Sequence, residues 1–268
     1  MKRPQPEKTL DIQGHRGCRG LRPENTLAGF RHAIALGVST LELDLGLSRD
    51  GVLVVAHDPE LNEIICEIPA GLPSRRIKDL TGDQLRGLDC GSRRNPRFPH
   101  QVLAPGEKMP LLSEALALLG QHPRLRANIE IKTSAEHPEV TRPPTDFAAA
   151  LAPLLKEPSL KARVTIQSFD PRALQAMAAA DPTVTLAALA DRRAHMEPLL
   201  KATGARILSP RHTELTREDL AAFQGRGIKV IPWTVNELAD MKRLISWGVD
   251  GIITDYPDRL LSLAGRLR

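Results

Sequence analysis

The sequence predicts a single (β/α)8 barrel, with a β-hairpin and an insert over about residues 50–110 near the mouth formed by the C-terminal strand ends. Three observations carry this. Short apolar strands alternate with helix-length segments from about residue 10 to residue 265. Of nine candidate strands, Val52–Ala56 follows its predecessor too closely for a parallel return, which leaves eight units. Polar residues then gather at or near strand ends, where such barrels build their sites: His15, Glu42, Asp44, Glu130, Lys132, Gln167, Trp233 and Asp255. A chain of 268 residues suits one such barrel, so one domain over 1–268 is expected, with the barrel over about 10–265 and the insert over about 60–110.

Taken in order, a strand at Leu10–Gln13 runs into Gly14-His15-Arg16-Gly17. Pro23-Glu24-Asn25-Thr26 introduces a helix with Leu27, Phe30 and Ile34 on one face and Gly37 as its stop. Thr40–Leu47 is the next strand, and the Arg49-Asp50-Gly51 turn returns it through Val52–Ala56 to His57-Asp58. Side chains alternate along a strand, so Glu42 and Asp44 share a face, and the return arm brings His57 back to their level. Residues 60–110 are rich in Pro, Gly and Arg, with periodicity confined to about Ile77–Leu88, and read as an elaborated loop or small subdomain.

Beyond the insert the alternation is regular. Ser113 is expected to cap a helix closed by Gly120, and Asn128–Lys132 to form a strand. Pro153 should kink or split the helix from about Asp146 to Lys156. Strand Val164–Phe169 leads to Asp170 as cap and Pro171 at the first position of a helix through Ala180. Strand Val184–Leu189, a helix near Ala194–Ala202 and strand Arg206–Ser209 precede a capping-box helix from Thr216 to Gly225. Strand Lys229–Val235, a helix capped by Asn236, strand Gly251–Thr254 and a helix from about Pro257 to Gly265 complete the series.

Composition narrows the function. Hydrophobic residues at 41% and charged residues at 26% describe a globular protein, while aromatics at 3% leave few platforms for stacking nucleobases. Arg93, Arg94 and Arg97 are read as a solvated loop, and no nucleic-acid partner is expected. A net charge of +5 suits an anionic substrate or surface. No apolar run approaches the roughly 18 residues of a membrane-spanning helix. The start, MKRPQPEKTL, lacks the hydrophobic stretch of a signal peptide. Cys18, Cys66 and Cys90 have no metal-ligand spacing, and their odd number argues against a full disulfide framework. Reduced cysteines and a cytoplasmic location are the expectation, with an exported form that has lost its leader as the alternative. Nothing in the pattern fixes an oligomeric state.

The charged residues suggest chemistry. Two carboxylates on one strand face repel unless a cation separates them, and Glu130 adds a third, a set suited to one Mg²⁺ or Ca²⁺, with Mn²⁺ also served. Lys132 and Arg16 are natural clamps for an anionic group, Arg as a fork and Lys as a point charge. His15 and His57 suit a general acid/base pair near neutral pH. The competing reading makes the acids and cations ion pairs that brace the barrel without a metal. A second makes the histidines ligands, which an oxygen-rich set disfavours. Gly14 and Gly17 would let backbone approach a substrate closely.

In order, GHRG, PENT, ELDLGLSRDGVLVVAHD, NIEIK, QSFD, IPWTVN and GIITDYP resemble the glycerophosphodiester phosphodiesterase family, from Asp11 to Leu260 and most weakly in the insert. The resemblance implies a barrel, a divalent cation, and hydrolysis of glycerophosphodiesters to sn-glycerol 3-phosphate and an alcohol. Carried over by motif, His15 and His57 become the acid/base pair, and Glu42, Asp44 and Glu130 the metal ligands. Arg16 and Lys132 match phosphate-binding positions, and Gln167 and Trp233 fall on the substrate side. Glu24 matches a site carboxylate, either at the substrate or orienting Arg16. Gly46 departs from the longer residue usual after the Glu-x-Asp pair. The implied path has the glycerol 2-hydroxyl attack phosphorus and water later open a cyclic phosphate. By analogy with phosphatidylinositol-cleaving barrels, His15 is the base and His57 the acid. Two alternatives stand beside it: phospholipase-D-like cleavage of lysophospholipids or sphingolipids, with Ile64–Leu72 as an apolar groove, and a non-catalytic phosphate-binding barrel.

Overall fold

Leucine-rich and β-branched runs bounded by turn residues become strands that line up side by side in the computed structural model, which describes residues 9–266. In chain order they are β1 (Asp11–Gly14), β2 (Thr40–Leu47), β3 (Leu53–Val55), β4 (Arg126–Ile131), β5 (Val164–Ser168), β6 (Thr185–Ala190), β7 (Ile207–Pro210), β8 (Lys229–Val230) and β9 (Gly251–Thr254). Parallel pairing runs in the order β8-β7-β6-β5-β4-β2-β1-β9, and β3 lies antiparallel on β2 as the hairpin arm. Backbone bonds join the two ends of that order: Asp250 N–H donates to Val230 O at 2.9 Å, Ile253 N–H to Pro232 O at 3.0 Å and Val235 N–H to Ile253 O at 2.9 Å. The expected (β/α)8 barrel is what forms. The strand expected over Lys229–Val235 shortens to β8 because Pro232 has no N–H to give the ladder.

The helices are α1 (Leu27–Leu36), α2 (Gly82–Arg86), α3 (Leu112–Gln121), α4 (Pro144–Leu151), α5 (Pro158–Lys161), α6 (Pro171–Ala180), α7 (Arg193–Thr203), α8 (Arg217–Gly225), α9 (Leu238–Trp247) and α10 (Pro257–Arg266). Their ends follow local chemistry. Thr26 Oγ1 accepts the Gly29 N–H to start α1, and Gly37, at φ 96°, closes it. Asp170 caps α6 with Pro171 behind it, and Thr216 and Asp219 form the capping box of α8. Pro153 acts as expected: α4 stops at Leu151 and a 3₁₀ turn, Ala152–Leu155, follows.

Two caps differ from expectation. Ser113 lies inside α3, whose start is held by the Glu114 carboxylate accepting from Leu111 N–H at 2.9 Å, and Gly120 is still helical. Asn236 does not cap α9, because its side chain is committed to Asp255.

Alternation decides what each strand face meets. Leu41, Leu43 and Leu45 of β2 are fully buried in the same apolar layer as Phe30 and Ala33 of α1, while Glu42 and Asp44 turn into the barrel. The ladder registers then set one interior level: Asp44 beside Glu130, Glu130 beside Gln167, Gln167 beside Ala187, and Ala187 beside Ile207. Half of the interior is thus charged or amidic. The other half is an apolar cluster of Ala187, Ile207, Ile231 and Ile253 with Trp233 packed on it.

The insert carries a small core of its own, including Val54, Leu61, Ile77, Leu80, Leu85 and Met109. Its periodic part becomes a 3₁₀ turn, Ile77–Asp79, followed by α2. The expectation of three reduced cysteines is corrected here: Cys66 and Cys90, 24 residues apart, form a disulfide across this core, and Cys18 stays a buried thiol. An odd number of cysteines excludes complete pairing, not a single bridge, and spacing alone does not reveal which two approach. Among the described residues no helix is long and apolar enough to cross a membrane.

Candidate active site

The loop after β1 delivers the first functional side chains through a tight backbone turn. Arg16 sits at φ 50° and Gly17 at φ 87°, and Asn25, at φ 53°, donates its N–H to Arg16 O at 3.0 Å. Left-handed backbone at two non-glycine residues carries strain that surrounding bonds must hold. Asn25 is held by donating through Nδ2 to Asp44 Oδ2 at 2.8 Å, and the Arg16 N–H donates to Glu42 Oε2 at 2.9 Å. The glycines serve this turn: a Cβ at Gly14 would collide with the Gly17 carbonyl oxygen. Gly14→Ala is therefore expected to cost about 1–3 kcal/mol by overpacking. Thermal unfolding should fall by about 2–4 °C per kcal/mol. Calorimetry giving an unchanged midpoint would refute the packing argument.

Glu42, Asp44 and Glu130 converge as expected. All three are buried, and one carboxylate oxygen from each lies within 4.8 Å of the others. Lys132 Nζ bridges Asp44 Oδ1 at 3.1 Å and Glu130 Oε1 at 2.6 Å. Arg16 spans Asp44 Oδ2 at 3.2 Å and Glu24 Oε1 at 2.5 Å. Glu24 thus stands paired with Arg16. Glu42 meets no such cation: it accepts from Gln167 Nε2 at 2.8 Å and from the Arg16 N–H. Burial, then repulsion from Asp44 and Glu130, pushes the Glu42 carboxyl well above its ordinary range. Burial acts the same way on Asp44, but Lys132 and Arg16 outweigh it and hold that carboxyl well below the usual range. Lys132, despite burial, is kept charged by Asp44 and Glu130.

The ion-pair bracing weighed from sequence is therefore present for Asp44 and Glu130, while among the described residues Glu42 has no lysine or arginine side chain paired with it and only His15 Nε2 at 3.9 Å. Among the described residues, Asp44 Oδ1 has no hydrogen bond beyond its ion pair with Lys132. An all-oxygen set of three buried acids, one repelled by the other two, fits a hard divalent cation.

His15 and His57 both line the cavity of about 120 Å³ at this end of the barrel, together with Arg16, Glu42, Glu130 and Lys132. His57 returns as the hairpin requires: Leu45 pairs with Val55, and the Ala56 N–H donates to Asp44 O at 3.0 Å. Each imidazole is gripped through Nδ1. His15 Nδ1 lies 2.6 Å from Asp255 Oδ1, and Asp255 also accepts from Arg19 Nε at 2.6 Å and Asn236 Nδ2 at 2.7 Å. His57 Nδ1 lies 2.6 Å from Asp58 Oδ1, and Asn62 Nδ2 donates to Asp58 Oδ2 at 2.9 Å. An ionised carboxylate at Nδ1 leaves Nε2 free to exchange a proton. Burial is the main cause that lowers the His15 pKa to about 4, with Asp255 opposing it. The hydrogen bond from His57 holds Asp58 down at about 2.

Sequence reading assigned no catalytic, binding or metal role to Asp255, Asp58, Arg19, Asn25 or Asn236, placing Asp255 only near a strand end and Asn236 only at a helix cap. A signal existed for two of them, since a buried imidazole needs a partner and Asp58 and Asp255 stand in motifs beside strand ends. Trp233 lines the cavity, held by donating through Nε1 to Ser209 O at 2.8 Å, and Gln167 lines it beside Glu42.

Comparison with known proteins agrees with this geometry. The pattern described as the glycerophosphoryl diester phosphodiesterase family matches residues 15–259. The glycerophosphodiester phosphodiesterase of Caldanaerobacter subterraneus subsp. tengcongensis is 34% identical over 260 residues, covering 96% of this chain and 98% of the relative. A crystal structure from Silicibacter pomeroyi, named as a candidate glycerophosphoryl diester phosphodiesterase, superimposes with a TM-score of 0.88 at 28% identity, covering 98% of this chain and 95% of that one. The fold is also that of an Oleispira antarctica phosphodiesterase in complex with the product sn-glycerol-3-phosphate (TM-score 0.80, 24% identity, 96% of each chain). With a match over nearly its whole length and the site assembled at the strand ends, the chain belongs to the glycerophosphoryl diester phosphodiesterase family.

Proposed function

We propose that this enzyme hydrolyses glycerophosphodiesters to sn-glycerol 3-phosphate and an alcohol, using one divalent cation and the His15/His57 pair. The observation that carries the reading is one cavity lined by two clamping cations, two histidines and two of three converging carboxylates, each histidine backed by its own aspartate. Glu42, Asp44 and Glu130 would hold the cation, Mg²⁺ or Ca²⁺ with Mn²⁺ also served. When bound there, a divalent cation neutralises phosphodiester oxygens as a Lewis acid. Arg16 and Lys132 bind the same phosphate and stabilise charge that builds at phosphorus. Lys132 and Arg16 already face the acids, so an anion entering the cavity meets cations with pre-set positions.

His15 suits the base. It is buried, neutral near pH 7, and its Nδ1 is tied to Asp255, so Nε2 takes the proton of the glycerol 2-hydroxyl as that oxygen attacks phosphorus. His57, its side chain 32% exposed, suits the acid, because it gives a proton to the departing alcohol and regains one from solvent. Water then opens the cyclic phosphate with the roles reversed. The divided interior fits such a substrate: the charged half receives phosphate, and the apolar half with Trp233 receives the carbon edge of glycerol.

The test is sn-glycerol 3-phosphate release from glycerophosphocholine, with EDTA and then with Mg²⁺ or Ca²⁺ restored separately. Release that EDTA stops and a cation restores is expected. Cleavage of lysophosphatidylcholine with none of glycerophosphocholine would move the substrate to lipids, and silence on both would leave a phosphate-binding barrel.

A further inference from the structure

We propose that Asn128 is a positioning residue for the cation site: it fixes the Gln167 amide, and through it the Glu42 carboxylate, from beneath the reaction cavity. This rests on the metal-dependent phosphodiesterase reading above and deepens it. Asn128 lies two residues before Glu130 on β4, so alternation turns both inward, and the parallel ladder sets Asn128 beside Glu42. It stands outside the lining of the reaction cavity and acts only through its neighbours.

Asn128 occupies the middle of a buried amide chain. Its Nδ2 donates to Gln13 Oε1 at 2.8 Å and to Gln167 Oε1 at 2.9 Å. Gln13 Nε2 donates onward to Asp11 Oδ2 at 3.0 Å, and Gln167 Nε2 to Glu42 Oε1 at 2.8 Å. A carboxylate at each end only accepts, so each glutamine turns its NH₂ outward and its oxygen toward Asn128. Asn128 must then give both of its hydrogens and turn its own oxygen away. That oxygen is buried and, among the described residues, has no hydrogen-bond partner. An unmatched buried acceptor costs stability, and native interiors rarely keep one. Packing does not call for it, since apolar Ala187, Ile207, Ile231 and Ile253 fill the other half of the interior. The two donated bonds account for it, because they hold the Gln167 NH₂ against the acid that, among the described residues, no lysine or arginine side chain pairs. The far end of the chain is anchored too: Asp11 Oδ1 is paired with Arg126 at 2.8 Å and accepts from Thr40 Oγ1 at 2.7 Å. Glu42 Oε1 therefore meets a fixed donor, and an ordered ligand binds a cation more tightly than a free one.

Isothermal titration calorimetry with Mg²⁺, and separately with Ca²⁺, on the protein without substrate reads the effect. Asn128→Leu, close to the amide in shape but with no hydrogen to donate, should raise the cation Kd by about tenfold, the low end of the loss usual for a changed partner of a metal ligand. Gln167→Leu should lose at least as much. Adding an Asn128 change to Gln167→Leu should raise Kd no further, because the first residue acts through the second. Asn128→Ser keeps one hydrogen to donate, should fall between wild type and Asn128→Leu, and carries the comparison if the leucine variant does not fold. An unchanged Kd in the folded Asn128 variants, or losses that multiply in the double variant, overturns the positioning role whatever happens to the melting temperature. A wild type that takes up neither cation overturns the metal site itself and this role with it.

Discussion

His15→Ala and His57→Ala should each lower kcat on glycerophosphocholine by about 10²–10⁴-fold, the usual contribution of a positioned acid or base. The fold should survive both changes, because neither leaves a carboxylate orphaned. Without His15, Asp255 still accepts from Arg19 and Asn236; without His57, Asp58 still accepts from Asn62. Circular dichroism and a cooperative thermal transition check that point. The two losses should separate with the leaving group. A p-nitrophenyl ester of glycerol phosphate needs little help from an acid, so His57→Ala should recover most of its rate on it. His15→Ala should stay impaired, since the 2-hydroxyl must still lose its proton. Equal recovery, or none in either variant, would sink the assignment of base to His15 and acid to His57.

Glu42→Gln should raise the cation concentration needed for half-maximal activity by at least about 10–100-fold, the loss usual for changing even an outer-shell partner of a metal. The sign follows from the site. Among the described residues, Glu42 is the one acid of the three that no lysine or arginine side chain pairs, and Asp44 and Glu130 push its carboxyl toward protonation. A divalent cation reverses that repulsion, and removing the Glu42 charge removes one ligand. Thermal shift gives a readout free of turnover: a cation at about 100 times its Kd adds roughly 2.7 kcal/mol to wild-type stability. The variant should show little of that gain at the same concentration. If the trio were only bracing, Glu42→Gln would stabilise the protein by relieving repulsion, and no cation would raise the melting temperature of either form.

Much of this was legible in the sequence, because it depends on short-range rules. Period-two alternation put Glu42 and Asp44, and then Glu130 and Lys132, on inward faces, and the Asp50-Gly51 turn returned His57 to their level. Asp170-Pro171, Thr216 and Pro153 marked helix ends and a break through bonds that lie within a few residues. Eight alternating units then left little choice but a barrel with its site at the strand ends.

Only the tertiary structure decided the rest, and the reason is separation along the chain. Asp255 meets His15 across 240 residues, and that demand for its amide partner takes Asn236 away from α9. Cys66 finds Cys90 because the insert collapses on its own small core, which no spacing rule specifies. Gly14 is glycine because Gly17 folds back on it, so its role lies in the turn that presents His15 and Arg16. Asn128 reaches Gln13 across 115 residues only when β1 and β4 share one interior. Local pattern determines which residues face inward; closure of the ring determines which of them touch.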